Sequence, residues 1–114
     1  MSFTAKSIVD RARAIWKDAD KVTFSEPNSF LWISDAILEA RSKRSDARQD
    51  DDGEITDYTD VTSNDDVIPM NVKFRVVLVD YVVARGFMED GDSQSHSERA
   101  DKHFKLFYER IMTI

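Results

Sequence analysis

The chain has 114 residues and a mass of 13.1 kDa, with 41% hydrophobic and 33% charged side chains: enough for one buried core and too little for two domains. It contains no cysteine and only two histidines, which removes disulfides, thiolate zinc sites and cysteine nucleophiles and leaves little imidazole chemistry. A net charge of -6 and a pI near 4.8 argue against a general nucleic-acid binder, because phosphate contacts need clustered Lys and Arg.

The charge is unevenly spread. Residues 46–68 hold nine acids against Arg48 alone, a net of -8, which leaves the remainder of the chain at +2. No apolar run approaches the roughly 18 residues that a membrane helix needs. Met1-Ser2-Phe3-Thr4-Ala5-Lys6 leads into an amphipathic stretch with Asp10, Arg11 and Arg13 rather than an apolar leader, so a protein made in the cytoplasm is expected.

The first predicted helix starts at Thr4 as N-cap and runs to about residue 19, with Phe3 and Ile8 placed to form a hydrophobic staple. Ile8, Ala12, Ile15 and Ala19 form its apolar stripe, widened by Val9 and Trp16. Asp20-Lys21-Val22-Thr23-Phe24 breaks the period, and Ser25-Glu26-Pro27-Asn28-Ser29 supplies the caps and early proline of a second helix. Its apolar positions are Phe30, Leu31, Ile33, Ile37, Leu38 and Ala40, with Trp32 on another side. Arg41, Lys43 and Arg44 follow where they complement the negative end of the helix dipole.

Residues 46–68 show no helical period and carry turn chemistry at Asp52-Gly53; Ile55, Tyr58 and Val61 are the apolar anchors before Val67-Ile68-Pro69. About 20 residues without regular structure in a small domain are normally functional or disordered. A loose hairpin with short strand fragments, or an arm leaving the body, is expected. Phe74 to Ala84 is apolar at nine of eleven positions and favours strand on propensity alone. The apolar pattern, however, extends from Met70 to Met88, and Met70, Phe74, Val77, Leu78, Tyr81 and Val82 keep helical spacing. The reading is therefore a buried central helix begun by Pro69. After Glu89-Asp90-Gly91-Asp92, Ser95 and Glu98 stand in capping-box spacing before a stripe of Ala100, Phe104, Phe107, Tyr108 and Ile111. The expected fold is all-α, a single domain over 1–114 of four helices with an acidic loop or arm at 46–68 between helices 2 and 3.

Chemistry is sparse. Asp50, Asp52, Gly53, Glu54 and Ile55 match the third and fifth to eighth positions of an EF-hand loop, but Arg48 and Thr59 occupy the first and twelfth, where acids are needed. A solvated acidic loop is the better reading, and no metal site is assigned. His96 and His103 are seven residues apart, roughly 10 Å along a helix and too far to share a metal; His103 reads as a packed or edge histidine. With three glycines and no Gly-x-Ser-x-Gly elbow, neither a phosphate-cradling loop nor a hydrolase nucleophile is present. No catalytic residue, no cofactor and no enzymatic activity are expected. Trp16 and Trp32 are core or interface residues, the sequence not deciding which.

Three stretches nonetheless resemble the small helical head-to-tail adaptor (connector) proteins of tailed bacteriophages. Ile8-Val9-Asp10-Arg11-Ala12-Arg13-Ala14-Ile15-Trp16-Lys17-Asp18 resembles that family's opening helix. Phe30-Leu31-Trp32-Ile33-Ser34-Asp35-Ala36, continuing to Arg44-Ser45-Asp46-Ala47, resembles its second helix and following turn. Ile68-Pro69 leading to Leu78-Val79-Asp80-Tyr81-Val82-Val83-Ala84-Arg85-Gly86-Phe87 resembles its buried third helix. Ser45, where proline is expected, and the strongly acidic loop depart from the pattern. The resemblance implies a virion component, made in the host bacterial cytoplasm. It would form a dodecameric ring beneath the portal, join portal to tail and line the DNA channel, with no membrane and no sequence-specific nucleic-acid contact. Partner binding is then expected from Asp50, Asp51, Asp52, Glu54 and Asp57 in the acidic loop and from Ile111, Met112 and Ile114 at the C-terminal end. Trp16 is a further candidate for an exposed ring contact. The rival reading is a small acidic protein that binds and modulates a host intracellular target, which would spread its charge over a folded face.

Overall fold

Thr4 is where the chain turns into its first helix. The computed structural model describes residues 2–20, 26–89 and 94–114, and α1 spans Ala5–Asp20. The Thr4 carbonyl accepts the Ser7 N–H at 3.1 Å and the Ser7 hydroxyl at 2.7 Å. The first two helical donors are satisfied from a distance: Ala5 N–H reaches the Asp66 carbonyl (2.9 Å) and Lys6 N–H that of Asn64 (3.1 Å). The end of the acidic segment therefore caps α1 with main-chain oxygens. Phe3 and Ile8, the expected staple pair, are both buried in the core.

α2 spans Glu26–Lys43; the predicted breaks at 21–25 and 90–92 lie outside the described residues. Its orientation corrects the sequence reading. Trp32 is buried with Phe30, Ile33, Ala36, Ile37 and Ala40, whereas Leu31 and Leu38 are 55% and 47% exposed. Ser29 and Ser34 fill the buried face in their place. Ser34 is tolerated there because its hydroxyl donates to the Phe30 carbonyl (3.0 Å) and accepts the Val61 N–H (2.9 Å). That last bond also ties the acidic segment to α2.

Between α2 and the next long helix the chain makes two 3-10 turns, Ser45–Arg48 and Val72–Phe74. The expected helix start at Pro69 is displaced to Arg75. Residues 68–71 are engaged otherwise: Ile68 N–H bonds the Phe3 carbonyl, the Pro69 carbonyl accepts the Thr56 hydroxyl, and the Asn71 side chain caps the 3-10 turn at Lys73 N–H. α3 then runs Arg75–Glu89, helical despite its β-branched content because burial outweighs a few tenths of a kcal/mol per residue. α4 spans Gln94–Thr113. It begins one residue before Ser95, whose side chain lies outside the described residues. Ala100, Phe107 and Ile111 of its stripe are buried; Tyr108 is 42% exposed.

α3 is the central element. It packs against α1, α2 and α4, and α2 also touches both α1 and α4. Trp16 of α1 meets Trp32 of α2 edge to face at 6.0 Å, and Tyr81 of α3 meets Phe104 and Phe107 of α4 at 5.6 and 5.2 Å. Among the described residues no helix is long and apolar enough to cross a membrane.

Candidate functional site

The acidic segment is laid against the body. Gln49 pairs with Ile55 in an isolated antiparallel bridge, closing a tight turn in which Gly53 adopts φ 78°, a conformation that favours glycine. Asp50 organises the turn: its Oδ1 accepts the N–H groups of Asp52 (2.9 Å) and Glu54 (3.0 Å). Asp51 Oδ1 accepts Val72 N–H at 3.0 Å, tying the turn to the approach to α3. Thr56 is held by the Arg48 and Pro69 carbonyls and, through its own carbonyl, by the Arg41 guanidinium at 3.1 Å. Of the predicted anchors, Val61 is buried and Tyr58 packs partly against the core, but Ile55 is 78% exposed; Ile68 and Met70 take its place in the core. The expected arm is thus a surface segment with many fixed points.

Asp50, Asp51 and Asp52 converge on a shallow recess of about 430 Å³ together with Thr56, Pro69 and Met70. Glu54 and Asp57 are exposed on the same segment. At the other predicted cluster Met112 is 66% and Ile114 36% exposed, but Ile111 is fully buried and cannot serve as a surface contact. Trp16, expected among exposed ring contacts, is likewise fully buried, and both tryptophans belong to the core.

Arg44 joins the two clusters. Its Nε and Nη2 hold both oxygens of Asp46 (2.9 and 2.7 Å), while Nη1 donates to the main-chain oxygens of Ile111 (2.9 Å) and Ile114 (2.6 Å). Arg41 and Lys43 lie in the last turn of α2, where they complement its dipole as expected, whereas Arg44, just beyond it, caps the last turn of α4. Lys73 adds a second cation to Asp46 at 3.0 Å. The hydrogen bond from Arg44, with Lys73 adding to it, holds the Asp46 carboxyl at about 2, below its ordinary 3.8.

Two further arrangements were not legible in the sequence. Asp80 lies buried on α3 with Arg110 Nη1 2.6 Å from Oδ2 and His103 Nδ1 3.5 Å from Oδ1. His103 also stacks on Phe87, with ring centroids 6.1 Å apart, and so is a packed histidine. The second is a groove of about 290 Å³ floored by Ala14 and Ile15 of α1 and Val76 and Val79 of α3, and rimmed by Arg11 and by Arg110 of α4. Its volume is at the small end of the range for clefts that enclose small ligands. Among the described residues no group of three or more His, Cys, Asp or Glu side chains is arranged to hold a metal ion.

No protein-family model matches the chain, and no curated protein or solved structure does so either.

Proposed function

We propose that this chain is a structural virion protein, a head-to-tail adaptor of a tailed bacteriophage. Its copies form a dodecameric ring beneath the portal, join it to the tail and surround the DNA channel. The reading starts from the helix patterns of residues 8–18, 30–47 and 68–87. The observation that carries it furthest is the junction at Arg44, which ties the acidic segment at Asp46 to the exposed end of α4 at Met112 and Ile114. Charge and exposed apolar surface are thereby held side by side, the combination that a docking surface for a basic partner requires. The partners are the portal and tail proteins. The acidic turn serves orientation and the α4 end supplies apolar burial.

The test is co-sedimentation of the purified chain with portal rings at low and moderate salt. Binding that weakens as salt rises, and falls further in the triple variant Asp50→Asn, Asp51→Asn, Asp52→Asn, supports the reading. Equal binding by variant and parent removes the acidic turn from it.

A second reading draws on the same segment. Asp46 and Asp51 bond to the body and fix the segment that carries the other acids against it, a placement that would suit a modulator of a basic host protein. That reading requires the chain to be absent from finished particles.

A further inference from the structure

The central helix is covered on three sides. α2 lies between α1 and α4 and touches both, while α1 and α4 scarcely meet. The gap between them, across α3 from α2, is the groove floored by Ala14, Ile15, Val76 and Val79. Val76 is 47% exposed at its mouth, an apolar side chain at the fourth, open side of an otherwise enclosed helix. On the opposite side of the molecule α2 turns outward a ridge with Leu31 and Leu38 at i and i+7, each about half exposed. Asp35 and Glu39 accompany the leucines on this ridge, and Arg11 and Arg110 accompany the groove.

We infer that the groove receives the α2 ridge of a second copy of this chain, so that a neighbouring molecule supplies the fourth helix around α3. Apolar ridge meets apolar floor, with acids on the ridge opposite arginines on the rim. Asp35 is already engaged with Arg85 at 2.9 Å, Arg110 with Asp80, and Glu39, more loosely, with Lys43 at 3.8 Å and the Tyr108 hydroxyl at 3.3 Å, so the second-copy contact is carried by Leu31 and Leu38, with Arg11 on the rim turned toward the acids of the ridge. Because ridge and groove sit on opposite sides of one molecule, the contact is head-to-tail. Each copy uses its ridge on one neighbour and its groove on the other, and successive copies close a ring or extend a filament. The role of this contact as the ring's repeating interface rests on the adaptor reading; the contact itself is a property of the purified chain.

The absence of cysteine makes the test clean. Leu38→Cys and Ala14→Cys chains, both altered at exposed positions, are mixed at high concentration and treated with a short bis-maleimide. The expected product is the mixed dimer of the two variants, in roughly tenfold excess over either homodimer. Adding Val76→Arg to the Ala14→Cys chain, with its circular dichroism unchanged, should cut the yield of mixed dimer roughly tenfold. No mixed dimer, or cross-linking that survives Val76→Arg, overturns the proposal, the latter placing the contact outside the groove. Dominant Ala14-to-Ala14 homodimers overturn it in favour of a two-fold interface. None of these results bears on whether the chain is found in virions, so the two readings fail separately.

Discussion

Trp16 lies directly against Gly86. Its indole N–H donates to the Val83 carbonyl at 3.2 Å, and a Cβ placed on Gly86 would stand 2.6 Å from two of its ring carbons. The glycine sits inside α3, where it costs helix propensity, and the structure gives the reason: only a residue without Cβ lets α1 approach α3 this closely. Trp16 cannot retreat, because Trp32 packs against it edge to face.

Gly86→Ala is therefore expected to destabilise the fold even though alanine is the better helix former. Overpacking costs about 1–3 kcal/mol, against a propensity gain of about 1 kcal/mol. Urea unfolding followed by tryptophan fluorescence measures the balance. A stabilised variant would mean that the contact between α1 and α3 is looser than described.

Asp46 gives the protein an acid-sensitive latch. Its carboxyl sits at about 2, below the ordinary 3.8, through Arg44 first and Lys73 second. A carboxyl whose folded value lies below its unfolded one adds stability that is fully present above about pH 4 and is lost as pH falls through about 2. Asp46 is one-third exposed, and screening leaves this contribution on the order of 1 kcal/mol. Asp46→Asn should lower the unfolding free energy by that amount at pH 7 and by almost nothing near pH 2. An equal loss at both pH values would show that the carboxylate's charge is not what matters.

Arg44→Ala removes the cap on α4. The last turn should fray, and the amides of residues 112–114 should exchange with solvent about fivefold faster, as expected for the loss of roughly 1 kcal/mol of hydrogen bonding. Protection in α1 should be unchanged. Uniform acceleration across all helices would point instead to a global loss of stability.

Asp80 depends on Arg110. Replacing Arg110 by Met takes the nearest cation from a buried carboxylate and leaves it His103 Nδ1 at 3.5 Å; the expected loss is about 2–4 kcal/mol, below the full penalty for a wholly enclosed pair because Arg110 is 42% exposed. The double variant Asp80→Asn, Arg110→Met should recover part of that loss, as a thermodynamic cycle would show. If the double variant is as unstable as the two single losses combined, the two side chains are not coupled.

The helical architecture was legible because α1 and α4 each carry a single dominant apolar stripe, and because the apolar run of α3 is too long for a strand and keeps helical spacing. α2 misled: Phe30, Leu31, Trp32, Ile33, Ile37 and Leu38 point in nearly every direction, so periodicity alone could not say which leucines stay outside. The phase is set by Ser29 and Ser34, polar residues whose burial depends on hydrogen bonds made across the fold, Ser34 with the distant Val61. Arg44 and Ile111 were misread for a similar reason, because the end of α2 meets the end of α4 only in three dimensions. The groove has no linear signature, as its floor joins residues 14–15 to 76–79 and its rim reaches Arg110. The acidic segment stood out in the sequence, but its attachment to the body did not, since most of its bonds are made by main-chain groups.

The adaptor reading is tested most directly by counting. Quantitative mass spectrometry of purified particles from the source of this chain should find it in near one-to-one ratio with the portal protein. Its absence from intact particles would contradict the account and leave the acidic face as a surface for a host target.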